Sequence, residues 1–255
     1  MKLYMDEYGH GPAVVWGHGV GQDSTIFHPM RRNLPPQTWT TITWDSPDHG
    51  FSRHEPGPLR HDDLADAVAA QLAERGYDRY VVGGLSQGGW VALHQAIRHP
   101  EHVAGLILMS CTASRHPEAA IDPVRAAAQQ WARDGIDPGF ARWSAELNLG
   151  PGHPETEAWI ERWTAVDGNR YLPAYEAMLL RPSLLNQLEA IDVPVLVLRG
   201  EHDEWVPADE VDLMVELLPN AELVTIPGAW HTLPVSHPAE ATAAVAGFLE
   251  SLGRW

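Results

Sequence analysis

Three apolar runs limit what this chain can fold into. Residues 80–84 (YVVGG), 103–110 (VAGLILMS) and 193–200 (VPVLVLRG) are almost continuously hydrophobic. A strand with one face in water alternates apolar and polar residues. These runs do not alternate, so they read as strands buried on both faces, with helices packed above and below a mostly parallel sheet.

The stretches between them fit that plan. Residues 61–76 (HDDLADAVAAQLAERG) carry apolar side chains at helical spacing, with Asp62 and Asp63 near the start and Gly76 after the last turn. A helix is expected from about 87 to 99, and others over 208–218 and 238–252. Further strands are expected at 3–8, 13–17, 38–44 and 221–227, the first two joined by the turn Gly9-His10-Gly11-Pro12. Strand and helix alternate, which is the α/β pattern. Residues 112–190 break it. They contain no convincing strand and about four helix-like segments punctuated by proline and glycine. The expected organisation is a sheet core from 1–111 and 191–255, with 112–190 inserted as a helical cap.

Composition narrows the function classes. The net charge of -17 repels phosphate backbones and anionic lipid, so neither nucleic acid nor a membrane surface is an expected partner. Lys2 is the only lysine, which leaves no residue for Schiff-base chemistry. Cys111 is the only cysteine, so neither an intrachain disulfide nor a cysteine metal cluster can form. The first residues lack the apolar core of a signal peptide and no run is long enough to cross a bilayer, so a cytoplasmic location is expected.

Chemistry is signalled at 84–88. Gly84-Leu85-Ser86-Gln87-Gly88 fits G-x-S-x-G, a pattern that arises by chance in about one chain in ten of this length. Its context is more specific than the pattern. A buried strand runs into it and a helix leaves it, as in a nucleophile elbow, where a sharp turn presents serine at the sheet's edge. A serine hydroxyl needs a base, and the base needs an orienting group. In this architecture they follow in the order serine, acid, histidine. Asp203 in GEHDEWVP follows one strand and His231 in GAWHTLP follows the last. Both should lie on the same sheet edge as Ser86. Two backbone N–H groups should hold the oxyanion: Gln87, after the serine, and Val20, in the glycine-rich loop after residues 13–17.

With those residues in place, the chain resembles a serine hydrolase of the α/β-hydrolase superfamily over nearly its whole length. His18-Gly19 resembles the family's H-G motif. DSPDHGFS (45–52) resembles D-x-x-G-x-G-x-S, GEHDEWVP resembles the acid segment G-x-x-D-x-x-x-P, and WHTLPVSHP resembles the segment carrying the histidine. Residues 84–114 look most like enol-lactone hydrolases and small-molecule esterases. Two positions depart from the pattern: Asp48 replaces a glycine, and Gly17 replaces a bulky aliphatic before the histidine. The resemblance implies hydrolysis of a small-molecule ester or lactone through Ser86, His231 and Asp203, with no cofactor.

These residues also admit other readings. Asp203 has acidic neighbours, Glu201 and Glu204, but the motif selects Asp203. His237 is the nearest rival to His231, and its place before Pro238 at a helix start suggests exposure. His18 is expected to support the oxyanion loop rather than to transfer protons, and it is also a candidate substrate contact. A histidine metal site lacks any H-x-x-x-H or dense cluster, and GHGVGQ lacks the third glycine of a dinucleotide loop. Trp159 and Trp163 share a helix face in the insertion. Aromatics at helical spacing usually pack, and the sharper expectation is that these two line an apolar or aromatic acyl pocket. Thioester hydrolysis, carbon–carbon cleavage, a lyase using Ser86 as a base, and a ligand-binding protein on the same fold remain open, because they differ in pocket contacts rather than in motif.

Overall fold

The computed structural model describes residues 1–55 and 57–253. Pro56, Arg254 and Trp255, which fall in the expected core spans, lie outside the described residues. Seven strands form one sheet: β1 (Met5–Gly9), β2 (Ala13–Gly17), β3 (Thr40–Trp44), β4 (Tyr80–Leu85), β5 (Val103–Met109), β6 (Val195–Gly200) and β7 (Ala221–Ile226). Their order is β1-β3-β2-β4-β5-β6-β7. Only β1 is antiparallel to its neighbour.

The interior strands earn their position by sequence. Every residue of β2, β3, β4 and β5 is buried. The outer strands β1 and β7 carry Asp6, Glu7 and Glu222 and are partly exposed. The turn at 9–12 does not join neighbours, because β3 lies between β1 and β2. The run TTITW is apolar or β-branched throughout and takes the doubly buried place. The polar MDEYG stays at the rim, where one face can meet water.

Helices cover both faces. They are α1 (His28–Asn33), α2 (His61–Glu74), α3 (Gln87–Arg98), α4 (Glu118–Asp134), α5 (Pro138–Leu149), α6 (Thr156–Ala165), α7 (Leu172–Leu179), α8 (Ala208–Leu217), α9 (Leu233–Ser236) and α10 (Pro238–Ser251). The short α1 and the 3-10 turn before it, Ser24–Phe27, were not expected from sequence. Helices α4 to α7 lie between β5 and β6. Trp131, Leu149, Trp159, Trp163 and Tyr171 from this insertion join the same apolar cluster as Trp16 and Phe27 of the sheet side. The insertion therefore shares a core with the sheet instead of closing one of its own.

The parallel arrangement of β2, β4, β5, β6 and β7 places the loops after these strands along one edge. The segments carrying Val20, Ser86, Asp203 and His231 all leave the sheet there, the edge where open α/β sheets hold ligands.

Candidate active site

Ser86 caps α3 with φ 52° and ψ -112°, a left-handed backbone that a residue with a side chain rarely adopts. The surrounding sequence makes this turn possible. A side-chain carbon on Gly88 would lie 1.9 Å from the Gly17 carbonyl oxygen, and one on Gly84 would lie 2.2 Å from the Gly88 carbonyl carbon. Only bare backbone lets β4 turn into α3 this tightly against β2. The turn leaves the first N–H groups of α3, beginning with Gln87, without intrahelical partners and pointing along the positive end of the helix dipole.

The acid and histidine meet. His231 Nδ1 lies 2.9 Å from Asp203 Oδ1 and 3.0 Å from Oδ2, with both side chains almost wholly shielded from solvent. Asp203 also accepts the N–H groups of Trp205 at 3.0 Å and Val206 at 3.3 Å. Burial opposes ionisation of Asp203, but the adjoining His231 and these donors outweigh it and hold the carboxyl below its ordinary value. A carboxylate at Nδ1 fixes the ring hydrogen there and leaves Nε2 with its lone pair. The Ser86 hydroxyl makes no hydrogen bond among the described residues. Apo sites of this kind often tighten only when substrate arrives.

The loop after β2 passes over Ser86: a side-chain carbon at Gly19 would sit 3.5 Å from Ser86 Cβ. Hydrogen bonds occupy the amides on either side of Val20. Gly19 N–H donates to Gln22 Oε1 at 3.2 Å and Gly21 N–H to His49 Nε2 at 3.2 Å. Val20 N–H, between them, has no partner among the described residues. An unpaired amide beside the candidate nucleophile can accept a developing negative charge.

His18 does not face a ligand. It is fully buried, its Nε2 accepts Ser46 N–H at 2.9 Å, and its Nδ1 therefore donates to Gly19 O at 2.7 Å. Both ring nitrogens hold backbone, so the ring supports the loop and neither nitrogen is left for a substrate contact. His49 repeats the arrangement, with Nδ1 on Pro47 O at 2.8 Å and Nε2 accepting from Gly21. Burial, followed by the neighbouring His18, pushes His49 down to about 3. It stays neutral and keeps its acceptor. Asp48 has φ 64°, which explains why glycine is the family's residue at that point. The departure at Gly17 also has a cause, since a side chain there would collide with Trp44 at 2.4 Å.

Both tryptophans, Trp159 and Trp163, are buried. The Trp163 indole N–H donates to Gly21 O at 2.8 Å. Trp159 sits against it at 5.4 Å and lines a cleft of 340 Å³ with Arg32, His153 and Arg162, whose walls do not include Ser86, Asp203 or His231. His237 is half-buried rather than exposed. Sequence reasoning also missed Gln22, Asn148 and Thr232. Gln22 Nε2 donates to Asn148 Oδ1 and Thr232 Oγ1, each at 3.2 Å, and Thr232 donates to Asn148 at 2.9 Å. This triangle ties the loop after β2 to α5 and to the residue after His231. No motif or periodicity marks it. Among the described residues no group of three or more histidine, cysteine or acidic side chains is placed to hold a metal, and no helix is long and apolar enough to cross a membrane.

Comparison with known proteins agrees with this architecture. Residues 14–245 match the sequence model of the Alpha/beta hydrolase family. The chain is 30% identical over 262 residues to a pimeloyl-[acyl-carrier protein] methyl ester esterase of Xanthomonas campestris pv. campestris, covering 98% of this chain and 100% of that one. Among solved structures, a thermophilic esterase from Thermogutta terrifontis is similar at 29% identity with a TM-score of 0.89, covering 98% of this chain and 93% of that one. An enol-lactonase from Burkholderia xenovorans shares the fold at 21% identity with a TM-score of 0.87, covering 97% and 96%.

Proposed function

Because the chain belongs to the Alpha/beta hydrolase family, we propose that it hydrolyses a small-molecule carboxylic ester or lactone through Ser86, His231 and Asp203, by way of an acyl-enzyme. The observation that carries this reading is the shielded hydrogen bond between His231 Nδ1 and Asp203, set on the same sheet edge as the strained Ser86 turn. The esterases similar to this chain support the choice of an ester bond.

In this reading the steps are as follows. Ser86 Oγ attacks the carbonyl carbon while His231 Nε2 takes its proton. Asp203, kept ionised, stabilises the imidazolium and fixes its orientation. The carbonyl oxygen becomes an oxyanion and receives the N–H groups of Val20 and Gln87. Collapse expels the alkoxide, which takes the proton from His231. In a lactone the alkoxide remains attached to the acyl group, so the released product is a hydroxy acid. Water then attacks the acyl-enzyme with His231 as base, and a second collapse releases the acid and restores Ser86.

The insertion acts as a cap over this edge in the same reading. A panel of methyl esters, p-nitrophenyl esters, lactones and thioesters tests the bond class. Hydrolysis of oxygen esters or lactones is expected, falling by several powers of ten in Ser86→Ala. Near-normal turnover in that variant would overturn the mechanism, and turnover confined to thioesters would overturn the bond class.

A further inference from the structure

Three consecutive residues of the loop after β2 are bonded to the helical insertion. Gly21 O accepts the indole N–H of Trp163 at 2.8 Å, Gln22 Nε2 donates to Asn148 Oδ1 at 3.2 Å, and Asp23 Oδ2 pairs with Arg162 Nη1 at 3.6 Å. Two of these contacts come from adjacent residues of α6 and the third from α5. On the sheet side, His49 accepts the Gly21 N–H. One glycine is thus gripped through its N–H by the core and through its carbonyl by the insertion.

This grip acts where the backbone most needs it. Gly21 has φ 71°, a conformation open to glycine and easily left by it. The peptide it shares with Val20 lies next to the one that presents the unpaired Val20 N–H. If Gly21 turned, the adjoining peptide would be free to turn with it, and Val20 N–H would lose its orientation in the loop that passes Ser86. Gly21 O has no other donor among the described residues. Trp131, in the same aromatic cluster, has a buried indole N–H with no acceptor. Packing of a tryptophan in this insertion does not by itself require an N–H contact, so the bond from Trp163 is a separate feature.

We propose that Trp163 is a positioning residue for the oxyanion hole: through Gly21 O, the insertion holds Val20 N–H in the orientation that receives negative charge. The proposal rests on the serine-hydrolase reading above. It makes the insertion a working part of the carbonyl chemistry, beyond any role in covering substrate. Both acylation and deacylation pass through an oxyanion, so loss of the grip slows the two steps alike. It then lowers kcat and leaves KM nearly unchanged.

The test compares Trp163→Phe with Trp131→Phe, which deletes an indole N–H that has no acceptor among the described residues. Wild type and both variants are assayed with p-nitrophenyl acetate and with an alkyl trifluoromethyl ketone. Ser86 adds to that ketone's carbonyl, and the hemiketal oxygen occupies the hole. Loss of a direct oxyanion donor costs about 10²- to 10³-fold, so loss of a positioning contact is expected to cost about 10- to 100-fold in kcat. KM should stay within about twofold, and Ki for the ketone should rise by the same factor as kcat/KM falls. Trp131→Phe should stay within about twofold of wild type in all three. If Trp163→Phe does not fold, benzothienylalanine at position 163, which keeps the ring volume and replaces N–H with sulfur, carries the same expectation. Unchanged kcat and Ki in a folded variant would overturn the positioning role and leave the serine mechanism standing. A wild-type protein that neither turns over the ester nor binds the ketone would overturn the mechanism and the inference together.

Discussion

Replacing Gly88 with alanine should damage catalysis far more than its single methyl group suggests. The added carbon would lie 1.9 Å from the Gly17 carbonyl oxygen and 2.2 Å from its carbon, where real contacts essentially never fall below 3.0 Å. Both clashing atoms are backbone, so no side chain can swing aside. The start of α3 and the end of β2 must separate by about 1 Å. Gly88 is two residues after Ser86 and next to Gln87, and Gly17 is three before Val20. The separation therefore pulls apart the two amides proposed to hold the oxyanion. A displacement of this size costs about 10²-fold in a positioned reaction, and the effective loss of one donor about 10²- to 10³-fold. Overpacking should also cost about 1–3 kcal/mol, roughly 3–10 °C in Tm for a chain of this size. Ester turnover and a thermal melt, run together, read both effects. The control is Gly247→Ala on an exposed face of α10, where an added carbon meets nothing. It should keep full activity and gain up to about 1 kcal/mol. Folded Gly88→Ala with wild-type kcat/KM would refute the argument that this backbone approach sets the oxyanion geometry.

Two further predictions concern buried titratable groups. Asp203→Asn should lower kcat by about 10³- to 10⁴-fold with little change in KM, because an amide no longer compels the Nδ1–H form of His231 or stabilises its cation; steady-state kinetics check it, and a loss under tenfold would contradict the role. Burial holds His49 and His61 at about 3, against an ordinary value of 6.5. Below pH 6.5 the unfolded chain binds these protons and the folded one does not. The stability each neutral ring contributes is therefore complete above 6.5 and lost as pH falls towards 3, at up to about 1.4 kcal/mol per pH unit for each ring. The urea midpoint should fall between pH 7 and pH 5, and fall less steeply in His61→Gln. A flat midpoint over that range would contradict the assigned burial.

The sheet was legible because burial on both faces leaves a direct mark. Residues 80–84, 103–110 and 193–200 had to be apolar throughout, and each proved to contain a buried interior strand. Strand adjacency was less legible: the turn at 9–12 pointed to β1 and β2 as consecutive, but nothing local says that β3 intervenes. The Asp203–His231 pair could be anticipated because both residues follow strands that end on the edge with Ser86, and the acid motif picks Asp203 out from Glu201 and Glu204. The contacts that shape the loop after β2 could not. Gln22 meets Asn148 and Thr232 across 126 and 210 residues of chain. Trp163 illustrates the limit most clearly. Its spacing announces a packed aromatic, but the acceptor of its N–H is a backbone carbonyl that carries no side-chain signature.

Activation of Ser86 is the claim on which the rest depends. The direct measurement is the intact mass of the protein after incubation with a fluorophosphonate, with Ser86→Ala alongside. One adduct per chain is expected in the wild type and none in the variant. Folded wild-type protein that remains unmodified, or an adduct that persists in Ser86→Ala, would contradict it.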